Sequence, residues 1–244
     1  LNTNKLNICI DVGNTNAKAG IFKGNDLAEV YQCLTDKGIV GLTKKHKPEH
    51  VLISSVRKGI GKIVKSASSL SKTIVFNHQT PVPFSNTYAS PQTLGLDRMG
   101  AVAGGQLLYP NTSCLIVDIG TCITYDVLDS QGTYLGGGIS PGVEMRLRAM
   151  HKFTSKLPLV SPKGAPELIG KTTRECMLSG ATVGAIAEVD GIISKYKQFF
   201  NGLTIIFCGG GAKFFESKIK GHIFAIPNLV LIGLNQILRY NLNE

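Results

Sequence analysis

The chain reads as an α/β protein built from two similar domains with a cleft between them, and three observations predict this. The string Ile8-Cys9-Ile10-Asp11-Val12-Gly13-Asn14-Thr15 returns as Leu115-Ile116-Val117-Asp118-Ile119-Gly120-Thr121-Cys122, displaced by 107 residues. Each copy is an apolar run ending in Asp-x-Gly, then a short polar turn and a second apolar run, at 17–22 and 123–128. Gly24-Asn25 and Gln131-Gly132 punctuate the two copies at the same place. Strand-turn-strand hairpins explain this pattern, because Gly and small polar residues let the backbone turn tightly. Secondly, strand-like runs are followed by helical ones in each half, as expected of layered α/β units. Thirdly, 244 residues of which 43% are hydrophobic, with a mean hydropathy of +0.12, suit packed cores and argue against disorder. The expected domains are 1–112 and 113–244, joined near Pro110-Asn111-Thr112.

Taken in order, the first half shows strand-like runs at 5–11, 17–22, 27–34, 51–55 and 73–77, with helical stretches at 37–46 and 57–71. Residues 81–91 hold three prolines and no helical period, so they read as an extended loop, and long ordered loops are often functional. Small and apolar residues from Gly95 to Leu108 suit a buried helix. The second half opens at Cys114 with two strands and continues with a third at 134–139. Pro141 is expected in the first turn of the next helix, where its missing N–H costs nothing. A proline-containing surface loop at 154–168 precedes a long helix from about Thr173 to Phe199. Thr204 to Cys208 forms a short strand, ended by Gly209-Gly210-Gly211 and a further helix.

The formal net charge is +10. Its basic residues are scattered, and the densest cluster, Lys44-Lys45-His46-Lys47, has no interleaved aromatics to stack on bases. Nucleic acid is therefore not expected as a partner, whereas anionic small ligands suit the positive balance. No apolar run approaches the roughly 20 residues that cross a bilayer, so no membrane association is expected. The N-terminus leads directly into a strand without the regions of a signal peptide, and the six cysteines show no paired spacing. Cys9, Cys114 and Cys208 lie in or beside apolar runs and read as reduced, buried small hydrophobes. The expected compartment is the cytoplasm.

Four segments could carry chemistry. Asp11, Val12, Gly13, Asn14, Thr15, Asn16, Ala17 and Lys18 offer backbone amides, polar side chains and one cation for phosphates. An ordinary hairpin turn uses the same residue types, but the second copy at Asp118 to Thr121 favours a duplicated ATP-binding fold. Asp97 and Arg98 stand at the start of a helix, where the carboxylate could simply cap free N–H groups. Alternatively, Asp97 accepts a proton from a substrate hydroxyl and Arg98 clamps an anionic group. Spacing does not separate the two. Gly209-Gly210-Gly211-Ala212 follows a strand and would let a nucleotide approach the backbone. Walker-A and Gly-x-Gly-x-x-Gly patterns are absent.

In this order, the first loop, the block from Tyr88 to Gly95-Leu96-Asp97-Arg98 and the second loop resemble type III pantothenate kinases over nearly the whole chain. The resemblance implies an actin-like (ribonuclease H-like) fold in both domains. It also implies ATP-dependent phosphorylation of pantothenate to 4'-phosphopantothenate, the first step of coenzyme A biosynthesis. By resemblance, Asp11 to Lys18 and Thr121 bind ATP, with Mg2+ accompanying the nucleotide. Asp118 would hold a monovalent cation, K+ or NH4+. Tyr88, Gly95, Leu96, Asp97, Arg98 and Thr173 would bind pantothenate, with Asp97 the proton acceptor. A homodimer is implied, its pantothenate site close to the subunit interface. Gly211 departs from the family, which usually carries an acidic or amide residue there. Two alternatives share the scaffold: a non-catalytic regulatory or accessory protein, and a kinase of another small molecule.

Overall fold

The computed structural model describes residues 6–13, 17–57, 59–164 and 166–243. Its first hairpin is β1 (Leu6–Val12) and β2 (Ala17–Lys23), in antiparallel register with Asp11 opposite Lys18. β3 (Asp26–Leu34), α1 (Asp36–His46), β4 (His50–Ser55), α2 (Gly61–Ser68) and β5 (Lys72–Val75) follow. The sheet order is β3-β2-β1-β4-β5, antiparallel in the β1–β2–β3 part and parallel from β1 through β4 to β5. Alternation explains its two faces. Ile8, Ile10 and Val12 of β1 pack with Val51 and Ile53 of β4 against Ile39 and Leu42 of α1 and Ile63 and Ala67 of α2. α2 is shorter than the helical stretch expected at 57–71.

Residues 81–91 are an extended loop as expected, but they contain a two-residue strand, β6 (Ser85–Asn86). A 3-10 turn at Pro91–Thr93 leads into α3 (Leu96–Leu108). The second half carries β7 (Cys114–Ile119), β8 (Cys122–Leu128), β9 (Thr133–Pro141), α4 (Val143–Lys152), α5 (Thr173–Phe199), β10 (Thr204–Cys208), α6 (Ala212–Glu216), β11 (Ile223–Ala225) and α7 (Leu229–Leu242). Its sheet runs β11-β10-β7-β8-β9-β6. Setting β6 aside, the order β9-β8-β7-β10-β11 repeats that of the first sheet, so the repeated Asp-x-Gly string marks a repeated topology.

By contacts the chain forms two compact units. One runs to Asn111 and includes Leu128–Leu135 and everything from Asn228 on; the other comprises Thr112–Val127 and Gly136–Pro227. A single cut at 112 therefore misassigns two segments, the tip of the β8–β9 hairpin and the C-terminal helix. α7 belongs with the first unit because it packs on β1, β4 and above all α3. The two helices meet backbone to backbone: a Cβ on Gly233 would lie 1.7 Å from the Gly100 carbonyl oxygen. Neither β11 nor α7 is anticipated by the sequence reading. In the second unit, Leu115, Val117, Ile123 and Tyr125 pack with Ala185, Val189 and Ile193 of α5.

Pro141 ends β9, and the N-cap of α4 is Gly142, so the proline sits just outside the helix. α5 has the bounds expected of it, held at its start by a reciprocal Thr172–Glu175 capping box. It is also 27 residues long with an 18-residue window of mean hydropathy 1.4, so one segment does reach membrane-spanning length and composition. Small residues rather than a solid apolar run give it that value, and 44% of the window is buried against the rest of the chain. Among the described residues all six cysteines are free, and Cys9, Cys114 and Cys208 are fully buried. Burial pushes the Cys114 thiol up to about 11.

Candidate active site

In the first unit the expected substrate block closes into a compact cluster. Gly95 is the N-cap of α3, and Asp97 lies in its first turn. The Asp97 Oδ1 accepts a 2.9 Å hydrogen bond from the Arg98 backbone N–H, so the carboxylate satisfies one free N–H of the first turn while Gly95 serves as the N-cap. A Cβ on Gly95 would stand 2.5 Å from that oxygen. Glycine at 95 is therefore what lets the carboxylate fold back over the helix start. A carboxylate has a second oxygen, so capping and proton acceptance are compatible roles for Asp97.

Arg98 points the other way, into the protein, and is only 7% exposed. Burying a guanidinium is costly unless its donors are used. One partner is the Tyr134 hydroxyl, which accepts from Nη2 at 2.8 Å. The Arg98 guanidinium carbon also lies 5.8 Å from the centre of the Tyr88 ring, within cation–π range. Tyr88 and Tyr134 are tilted neighbours with centroids 6.0 Å apart, and Phe84 meets Tyr134 edge-on at 6.3 Å. Tyr88, Gly95, Leu96, Asp97 and Arg98 thus share one neighbourhood. Tyr134 belongs to it too and was missed, because nothing in a tyrosine at the start of a strand marks it.

The proline-rich loop is pinned to β9 at the same point. Ser85 pairs with Thr133 and Asn86 with Tyr134 in parallel register. The Tyr134 carbonyl accepts from Thr87 twice, from its N–H at 3.1 Å and from its hydroxyl at 2.9 Å. Asn86 Oδ1 then accepts from the Tyr88 N–H at 2.9 Å, setting the turn that presents the Tyr88 ring.

The first repeated loop joins β1 and β2. Asp11 is the penultimate residue of β1, half-buried, beside Ser54 of β4 and opposite Lys18 of β2. Val12 and Ala17 are buried, and Gly13 begins the turn. Asn14, Thr15 and Asn16 lie outside the described residues.

The second loop joins β7 and β8 in the other unit. Asp118 pairs with Cys208 of β10, which sets its carboxylate against the glycine run. A Cβ on Gly209, which has φ of +81°, would fall 2.2 Å from Asp118 Oδ1. Gly211 is equally constrained: any Cβ there would meet the Ile119 Cγ2 at 2.5 Å. That contact explains why this chain carries glycine at 211. Thr121 is exposed, and its carbonyl accepts from the Gly142 N–H at 3.0 Å. A cavity of about 790 Å³ opens beside these residues, lined by Gly120, Gly210, Gly211, Val143, Thr182 and Phe214 among others. Its volume and mixed lining suit a small organic ligand such as a nucleoside. α6 has only five residues, so the glycine run offers close backbone approach rather than a long helix's N-terminus. Among the described residues no group of three or more metal-ligating side chains occurs.

Also in the second unit, Glu188 of α5 accepts hydrogen bonds from Tyr125 at 2.9 Å and from Ser140, and pairs with Arg146. Burial works against its ionised form, but the hydrogen bonds from Ser140, Arg146 and Tyr125 outweigh it and hold the carboxyl below its usual range. This cluster, also missed, ties the end of β9 and α4 to α5. Thr173 opens α5 and is exposed.

A family model described as type III pantothenate kinase matches residues 7–195. The chain is 41% identical over 240 residues to the type III pantothenate kinase of Christiangramia forsetii, covering 97% of this chain and 99% of that one. With the type III pantothenate kinase of Phocaeicola vulgatus the identity is 38%, over 97% of this chain and 99% of that one. Among solved structures, a conserved Baf family protein from Campylobacter jejuni superposes with a TM-score of 0.64 at 20% identity, covering 97% of this chain and all of that one. The activator of the 2-hydroxyisocaproyl-CoA dehydratase from Clostridium difficile, solved with ADPNP bound, superposes with a TM-score of 0.53 at 14% identity, over 98% of this chain and 94% of that one. These similarities show an actin-like fold.

Proposed function

The chain belongs to the type III pantothenate kinase family, and we infer that it transfers the terminal phosphoryl group of ATP to the 4'-hydroxyl of pantothenate. This is the first step of coenzyme A biosynthesis. One observation carries the assignment of the acceptor site: a buried arginine and a folded-back aspartate are adjacent at one helix start, under an aromatic wall. A guanidinium suits the pantothenate carboxylate because its planar fork matches two oxygens. Asp97 then accepts the proton of the attacking hydroxyl. Phosphoryl transfer asks mainly for positioning of the nucleophile and neutralisation of charge, which a well-placed aspartate supplies. Tyr88, Gly95, Leu96 and Thr173 complete the pantothenate contacts in this reading.

Asp11 to Lys18 and Thr121 are assigned to ATP, and the cavity beside Gly210 and Gly211 suits its adenosine. A kinase of this family uses a divalent metal with its nucleotide; Mg2+ fits, since it binds phosphates and few carboxylates. Asp118, whose carboxylate lies against the Gly209 backbone, is assigned to the monovalent cation, K+ or NH4+, that the resemblance implies. A homodimer in the cytoplasm, with no nucleic acid or membrane partner, completes the proposal. The test is an ADP-release assay with ATP, Mg2+ and K+. Turnover with pantothenate and none with acetate or glucose is expected; ADP release equal for all three overturns the substrate assignment.

A further inference from the structure

We propose that Tyr134 is a positioning residue for the pantothenate carboxylate, acting through Arg98. The inference deepens the acceptor-site reading above and rests on it. Tyr134 is 0% exposed, so it cannot touch substrate. It nevertheless contacts both ends of the substrate block. Its hydroxyl receives the Arg98 Nη2 hydrogen bond at 2.8 Å. Its ring lies 6.0 Å from that of Tyr88, and its carbonyl holds Thr87, the residue before Tyr88.

Two segments of separate origin therefore meet on one residue. The loop that presents Tyr88 is fixed to the Tyr134 backbone, and the helix that presents Arg98 is fixed to the Tyr134 hydroxyl. An arginine has several rotatable bonds, and its forked contact to a carboxylate is strong only when the guanidinium plane is held in register. A buried phenol accepting one N–H removes much of that rotational freedom before substrate arrives, which is preorganisation in the ordinary sense. Phe84, edge-on to Tyr134 at 6.3 Å, holds the phenol ring in turn. The hairpin tip that carries Tyr134 is built for the task. Asp129 Oδ1 accepts from the N–H groups of Gln131 and Thr133 at 2.9 and 2.8 Å, which fixes the turn just before it.

Tyr134→Phe removes the hydroxyl and keeps the ring. The hydrogen bond it deletes involves a charged donor, so a roughly tenfold rise in KM for pantothenate is expected, with kcat and KM for ATP little changed. The decisive readout is discrimination between pantothenate and its neutral analogue in which a primary alcohol replaces the carboxylate. The ratio of the two kcat/KM values should fall by about tenfold, through pantothenate alone. Arg98→Lys is measured in parallel and should collapse the same ratio. Equal losses on both substrates would mean that the hydroxyl only supports packing, and a Tyr134→Phe protein that fails to fold would say the same; either overturns the proposal. A normal ratio in Tyr134→Phe with a collapsed one in Arg98→Lys overturns the role of Tyr134 while leaving Arg98 as the clamp. A normal ratio in both removes the clamp itself, and this inference with it.

Discussion

Asp97 and Arg98 are adjacent in sequence yet serve opposite surroundings, one folded over a helix start and the other buried among aromatic rings. Their division of labour predicts separable kinetic effects. Asp97→Asn keeps the size of the side chain and its ability to accept from the Arg98 N–H, but it cannot take a proton. Turnover should fall by roughly 10²-fold or more with little change in KM for pantothenate; near-normal kcat means that capping is the whole role of this residue. Asp118 makes a different prediction. Its carboxylate faces the Gly209 backbone beside the proposed phosphate loop, where negative charges accumulate and a counter-ion is needed. Rates should be high in K+ or NH4+ and fall sharply in Na+ at matched ionic strength, and Asp118→Asn should lower the rate and flatten that dependence. Equal rates in all three salts rule out the cation role. Proximity of the expected substrate residues was legible because most of them lie within one short segment. Tyr134 was not, since its part is settled by a pairing with β6 from nearly fifty residues away, which leaves no local pattern.

At the scale of elements, the crossing of α3 and α7 carries the site indirectly, because α3 begins with Asp97 and Arg98. Gly104 of α3 meets the Leu229 carbonyl of α7, and Gly233 of α7 meets the Gly100 carbonyl, with no room for a side chain at 104 or 233: a Cβ on Gly104 would lie 2.6 Å from the Leu229 oxygen. Gly233→Ala should therefore destabilise the protein by about 1–3 kcal/mol, since the helices must separate to admit one methyl group. Urea unfolding measures this, and an unchanged midpoint would show that the helices part freely. The strands of both hairpins and the bounds of α5 follow from apolar runs and caps that act within a few residues. What escaped depended on longer range. The direction of α7, back to the first unit, is decided by packing on α3 and on β1. Pro141 fits both the end of a strand and the start of a helix, and its neighbour Gly142 settles the choice. A Cβ on Gly142 would lie 2.3 Å from the Gly120 carbonyl oxygen, so the chain must pass the second loop before α4 can begin.

For the molecule as a whole, duplication explains the two sheets of matching order, but it leaves one long helix with an uncommitted side. α5 buries Met177, Ala181, Ala185, Val189 and Ile193, one side of the helix at its natural spacing. Gly180, Gly184 and Gly191 are exposed, and a Cβ on any of them would meet nothing within 4 Å. Burial inside the protomer therefore does not account for the small residues at these positions. Phe153, Leu168 and Ile169 of the same unit are also largely exposed, and apolar area of this kind commonly marks an interface. A second copy of the chain is the partner that the family resemblance implies, with the pantothenate site completed near the contact and Thr173 at its edge. In the proposed dimer association and catalysis are linked, because a lone protomer would have an incomplete acceptor site. Gly184→Glu places a charged side chain on the open side without disturbing the buried one, so the protomer should fold with an unchanged circular dichroism spectrum. It should sediment as a monomer and lose pantothenate turnover together, whereas the wild type sediments as a dimer. Sedimentation of the wild type as a fully active monomer at micromolar concentration excludes a shared site, and a dimeric Gly184→Glu protein moves the contact away from α5.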